Sequence, residues 1–292
     1  MSLANHSAQT NNVKNVAAVS IFPTGPANCN CVLILDRETG HLVVVNPGGD
    51  FATIIAELKT LCSEATIGLN KVRLAYILIT QAHTQLFLAA GELFDIGNGA
   101  GEIVLHKDDW FLWKKAELQA QEFDFADLLP KNPFPDIESE ACRSFEQGEE
   151  LTDCGNINII CLHTPGVSPG SACFYFPQLE LVCTGTTLLS QSVGRTTWMG
   201  IQSLDGTSSA RTLRRSIDEV LLASVPGETR IVPAFGPLSS IRHGTCLWWH
   251  GAVFCFLCCC VCCRDAGYSC IEQVAYLFLF SLFFIFNMIV GV

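Results

Sequence analysis

His83 is the residue of this 292-residue chain whose surroundings most invite a chemical role. It stands in Gln81-Ala82-His83-Thr84-Gln85-Leu86, after the apolar run 76–79 and before Leu86, Phe87, Ala89 and Ala90 at helical spacing. A strand that runs into a short loop ahead of a helix suits the gathering of imidazoles and carboxylates around a metal ion. This loop offers one imidazole and no carboxylate, and a catalytic zinc wants three protein ligands and an open position. The plainer reading of His83 is a hydrogen-bonded loop or core histidine. His163, Ser168, Ser171 and Cys173 lie in a second loop and strand, and they are the raw materials of nucleophilic catalysis. No nucleophile, base and acid stand at a spacing that joins them. Cys29-Asn30-Cys31 is the nearest approach to a metal or redox pair, but one residue rather than two separates its thiols, and a strand follows at once.

The elements that must position these residues alternate in type. After a polar lead, residues 1–15, strand-like runs come at 16–22, 31–35 and 42–45, with a turn at Arg37-Glu38-Thr39-Gly40. Pro47-Gly48-Gly49 breaks the third run, and Asp50 is a natural N-cap for a helix with Phe51, Ile54, Ile55, Leu58 and Leu61 on one face. The run at 76–79 follows, then a strand at 103–105 and a helix over 107–121. Residues 122–150 read as a long acidic surface loop carrying a short helix. Strands at 157–162, 172–176 and 179–183, a polar helix at 208–223 and a strand at 230–232 complete the series. Two successive halves of strands with interspersed helices predict an α/β protein, an αββα sandwich.

Composition narrows the function and divides the chain. The formal net charge of −11 argues against a nucleic-acid binder, which relies on neutralising phosphates. Hydrophobic residues make up 49% and charged ones only 15%, and the excess is local. After Gly244 the only charged residues are Arg264, Asp265 and Glu272. Runs without charge occupy 246–263 and 274–292, each near the length of a bilayer-spanning helix. Two readings fit this stretch, 244–292: a membrane-associated helical hairpin, or a frameshift or read-through product, since Phe, Leu, Ser and Cys share pyrimidine-rich codons. The cysteines upstream of it sit mostly in apolar runs and read as buried, reduced thiols. The amino terminus has no apolar core of a secretory signal, and the expected location is intracellular, cytoplasmic or tethered to a membrane by the tail.

Five stretches, in order, resemble the motifs of the metallo-β-lactamase-fold superfamily, in its glyoxalase II-like (hydroxyacylglutathione hydrolase-like) branch. Thr80–Leu86 is similar in frame and flanks to that family's Thr-His-x-His-x-Asp-His. Asn46-Pro47-Gly48-Gly49-Asp50 looks like a DPGGD strand end, and His163-Thr164-Pro165-Gly166-Val167-Ser168-Pro169-Gly170-Ser171 like an HTPGHTPGS loop. Cys183-Thr184-Gly185-Thr186-Thr187-Leu188 is similar to FTGDTLF, and Pro233-Ala234-Phe235-Gly236-Pro237 to PGHGP. Ser192-Val193-Gly194-Arg195-Thr196 also matches a GRTD-type piece of the glyoxalase II-like branch. The resemblance spans residues 16–243 and implies two mixed β-sheets flanked by helices.

The family's chemistry uses one or two zinc (or iron, or manganese) ions that turn water into a hydroxide, which attacks a thioester or amide carbonyl. Carried over residue by residue, its ligand positions fall on Gln81, His83, Gln85, Leu86, Val167, Thr186 and Phe235, so one of the seven keeps a ligand. His106 and His163 match family histidines outside the metal shell. The resemblance therefore implies a fold kept for its shape, with no zinc cofactor, no catalytic residues and a structural or binding role toward a protein partner. Three apolar replacements predict a site packed shut. The competing expectation is a metal-dependent thioester hydrolase with a remodelled site.

Overall fold

The computed structural model describes residues 16–97, 100–129, 134–190, 192–196 and 209–241. All lie in a compact unit ending at Gly244; the segment Thr245–Val292, with both uncharged runs, lies outside the described residues, as does the lead 1–15. Among the described residues no helix is long and apolar enough to cross a membrane.

Two six-stranded sheets stack face to face. The first has the order β1 (Ala17–Thr24), β2 (Cys29–Asp36), β3 (His41–Val45), β4 (Arg73–Leu78), β5 (Glu102–Val104), β6 (Cys142–Arg143). Its first three strands pair antiparallel, and β3 to β6 run parallel. The second holds β7 (Glu150–Leu151), β8 (Ile159–His163), β9 (Ala172–Phe176), β10 (Leu181–Gly185), β11 (Arg230–Pro233) and β12 (Ser239–Ser240). All its pairs are antiparallel except β10 with β11.

Each central strand is buried on both faces, which is why Leu42-Val43-Val44-Val45 shows no polar alternation. Alternate residues still part company. Val32, Ile34, Val43 and Val45 point into the layer between the sheets, against Ile159, Cys161, Phe174 and Phe176. Leu33, Leu35 and Val44 point outward, onto Ile54, Leu58 and Leu61 of helix α1 (Phe51–Ala65). On the far side of the second sheet, Tyr175, Val182 and Ile231 meet Leu221 and Val225. This is the expected sandwich with helices on both outer faces.

The structure differs from the sequence expectation mainly where elements are short. The helix anticipated from Leu86 begins at Ala90 (α2, Ala90–Ile96), because Thr84–Leu86 closes a 3₁₀ turn first. The helix expected over 107–121 is three pieces: a 3₁₀ turn, Lys107–Asp109, then α3 (Trp110–Trp113) and α4 (Ala116–Glu122). The stretch 122–150 carries the whole of β6, the first residue of β7 and, in place of the expected short helix, a 3₁₀ turn, Ala126–Leu128. The helix expected over 208–223 is α5 (Ala210–Arg215), a π-helical stretch, Ser216–Leu221, and a last turn, α6 (Leu222–Ser224).

Candidate functional site

Parallel strands bring their carboxyl ends to one edge of a sheet, and in α/β folds that edge carries the ligands. Here β3 leads into Asn46–Asp50, β4 into 79–86 and β5 into 105–109. From the second sheet, β8 ends at 163–171, β10 at 185–188 and β11 at 234–236.

The first contact is made by Asn46, buried and held at φ 48°. Its backbone N–H continues the ladder to Leu78 O at 3.0 Å, while its Oδ1 accepts from both the N–H and the hydroxyl of Thr80, each at 3.0 Å. An amide serves here where the related motif has a carboxylate, because the acceptor is all that the loop demands. Asp50 caps α1 through Thr53, accepting its hydroxyl at 2.7 Å, as its position predicts.

Five of the seven inferred ligand positions fall into two groups, one hydrogen-bonded and one apolar. Gln81 donates from Nε2 to Ser171 Oγ at 2.9 Å and accepts the Thr186 hydroxyl on Oε1 at 2.6 Å. The residues in the places of a histidine and a bridging carboxylate thus satisfy each other. Val167 is buried nearby, and Gly194 lies over both it and Thr186, so close that any side chain there would collide with them. The other group is apolar: Leu86 packs with Cys29, Ala234 and Phe235. His83 is buried, and burial depresses its pKa from 6.5 to about 3, leaving a neutral imidazole. Gln85 is half-buried, and its carbonyl stands against Gly48.

These donors do not fit a metal of the family's kind. Leu86, Val167 and Phe235 carry no ligand atom, the Gln81 amide is engaged on both sides, and Thr186 has spent its hydroxyl proton on Gln81. Apolar packing and neutral hydrogen bonds occupy the place where charge would otherwise need compensation. Two clefts open elsewhere. One, of about 440 Å³, lies among the first residues of β3, β4 and β5, at the opposite ends of those strands. The other, about 320 Å³, runs between His163, Pro165 and α5. None of the seven positions lines either.

Two residues that organise this edge escape sequence reasoning. Asp109 is fully buried and accepts three bonds, from Ala82 N at 3.0 Å, Ser168 Oγ at 2.8 Å and Gly170 N at 2.7 Å. Burial raises its pKa, and those three donors pull it back. Gln119 binds the same loop through Ala82 O, at 3.0 Å, and Thr84 N, at 3.1 Å. In sequence Asp109 looks like an ordinary acid of a first helical turn and Gln119 like a surface amide, so no signal marked either. Ser168 and Ser171, weighed as nucleophiles, are instead bonded to each other at 2.8 Å and to Asp109 and Gln81, deep in this network.

Two further histidines, His106 and His163, meet at its rim. The ring of His106, at the end of β5, stacks on that of His163, at the end of β8, with centroids 3.7 Å apart and planes 11° from parallel. Burial and the neighbouring ring lower the His106 pKa to about 4.

A chain with this sandwich and this loop edge is a metallo-hydrolase fold in architecture, and its relatives agree. The metallo-beta-lactamase superfamily model matches residues 24–225, and the chain belongs to that superfamily. It is 27% identical over 224 residues to an uncharacterized protein of Mycobacterium leprae, covering 75% of this chain and 92% of that one. It is 27% identical over 179 residues to the hydroxyacylglutathione hydrolase GloC of Haemophilus influenzae, covering 61% and 75%. Among solved structures, TTHA1623 in a di-iron-bound form superposes with a TM-score of 0.59 at 28% identity, over 77% of this chain and 96% of that one. The B3 metallo-beta-lactamase BLEG-1 superposes equally well at 22% identity, over 77% and 95%, which shows the shared fold.

Proposed function

We propose that this chain is a catalytically inactive member of the superfamily, from its glyoxalase II-like branch, and that residues 16–243 act as a structural or binding module toward a protein partner. One observation carries the reading: the positions that would hold the metals are bonded or packed to one another, Gln81 to Thr186 and Leu86 to Phe235. A hydrolase that had merely lost its metal would keep a polar, open hollow. This one has a closed joint between loops. An intracellular location accords with eight buried or half-buried free thiols among the described residues.

A metal-dependent thioester hydrolase with a remodelled site is the second reading, favoured by the name and 27% identity of the Haemophilus influenzae relative. Incubating the full chain with excess zinc, iron or manganese and assaying hydrolysis of lactoylglutathione separates the two. The expected result is no turnover above the uncatalysed rate. Turnover abolished by His83→Ala would overturn the inactive reading. Leu86→His should create no activity and should destabilise the fold by about 1–3 kcal/mol, because an imidazole placed against Cys29, Ala234 and Phe235 finds no polar partner.

A further inference from the structure

We propose that His106, Asp108 and His163 form a site for a divalent transition ion of the zinc type, displaced from the superfamily's ligand positions and independent of them. The ligand atoms these three side chains offer all lie within 4.8 Å of one another. Two imidazoles and a carboxylate are a donor set that zinc accepts, with bonds of about 2.0–2.2 Å and roughly 3.4 Å between neighbouring donors. His106 Nδ1 stands 3.6 Å from Asp108 Oδ2, already near that spacing.

A backbone contact assigns the tautomer of His163 and so the nitrogen left to ligate. Its Nε2 lies 2.9 Å from the carbonyl oxygen of Pro169, which can only accept, so Nε2 carries the proton and Nδ1 presents a lone pair. A ligating histidine that gives its other N–H to a backbone carbonyl is the usual arrangement around bound metals. His106 Nδ1 is only loosely engaged, receiving the Asp108 N–H at 3.3 Å, beyond the ordinary range for such bonds. Phe145 meets the His106 ring edge to face at 5.3 Å and gives the pair an apolar floor.

Access comes from the solvent side. The Asp108 side chain is 48% exposed and free to rotate inward, and His163 lines the cleft beside α5. Closure around an ion tilts the two rings out of their stack and leaves a fourth position for water. Because His106 belongs to the first sheet's edge and His163 to the second's, the ion would clip the two sheets together at the rim of the joint.

The test uses the full chain, stripped with chelator and titrated with zinc by calorimetry, alongside His163→Ala, Asp108→Asn and His83→Ala. Cobalt(II) substituted for zinc identifies the ligands, because cysteine thiolates give a charge-transfer band that imidazoles and carboxylates lack. One equivalent should bind without that band. It should weaken in both His163→Ala and Asp108→Asn by more than the ~10–100-fold that loss of an outer-shell partner costs, and persist in His83→Ala. Asp108 is exposed enough that its asparagine variant folds, so a folding failure of His163→Ala leaves the test intact. No binding, binding that both variants retain, or binding only through thiolates would overturn the proposal. An equivalent lost on His83→Ala alone would overturn it and, separately, the inactive reading as well.

Discussion

At Gln81 and Thr186 an amide and a hydroxyl supply for each other the partner that a cation would supply to a histidine and a carboxylate. A charged pair at this depth would have needed a metal to offset its desolvation; a neutral pair needs only its one short bond. His83 is the residue where this neutrality has a measurable consequence. Its folded pKa is about 3, against 6.5 for an ordinary imidazole, so below pH 6.5 the unfolded chain binds a proton that the folded chain refuses. The stability present above pH 6.5 is therefore lost as the pH falls toward 3, at up to about 1.4 kcal/mol per pH unit from this residue. Urea denaturation at a series of pH values should show the loss, and His83→Gln should flatten it. An unchanged acid limb in that variant would mean that His83 titrates normally in the folded protein.

Among elements, the loops rather than the strands set the character of the molecule. Residues 163–171 are fastened on three sides: to Asp109 through Ser168 and Gly170, to Gln81 through Ser171, and to α5 by close packing. Gly166 makes the last contact. It sits at φ 141°, in a region that side chains rarely enter, with its α-carbon directly over the backbone of Leu213. Gly166→Ala must therefore either unseat α5 or strain the loop, and should cost about 1–3 kcal/mol. A fall in the urea midpoint with faster proteolysis within 209–224 is the expected result; a midpoint equal to the parent's would show that the helix shifts without penalty. The stretch 216–221, wound as a π-helix, packs Leu221 onto the second sheet and donates the Ser216 hydroxyl to Pro165 O at 2.6 Å, tying the same loop again.

At the scale of the whole molecule, burial governs the cysteines. Cys29, Cys31, Cys173 and Cys183 are buried in the described unit, and burial is the largest cause driving each thiol's pKa upward, that of Cys173 to about 12. Thiolates react and thiols do not. Alkylation of the native full chain, mapped by mass spectrometry, should spare these four until denaturant is added, while half-buried Cys142 is labelled earlier. Labelling of Cys29 or Cys183 at the rate of Cys142 would reveal an opening of the sandwich that its packing does not suggest.

The succession of strands and helices along the chain and the breaks between them were legible in the sequence, because apolar runs and Gly-Pro punctuation report local propensity directly, while the two mixed sheets followed from the family resemblance. Thr80 to Leu86, Pro165, Gly185 and Pro233 marked where chains turn, and those turns are where the sheets meet. The same stretch told what the loops lack, since a leucine or a phenylalanine carries no ligand atom in any fold. What the residues do instead was decided only by tertiary structure. Strands of two residues, such as β6, β7 and β12, exist because a neighbour offers a ladder, and they leave no periodic trace. The break between α3 and α4 serves the loop below it, where Gln119 takes Ala82 O and Thr84 N. Asp109, the pairing of Gln81 with Thr186 and the meeting of His106 with His163 join residues 27 to 105 positions apart. A hydrogen bond or a stacked ring pair across such a distance depends on how two sheets are placed, and a side chain's type alone carries no information about that placement.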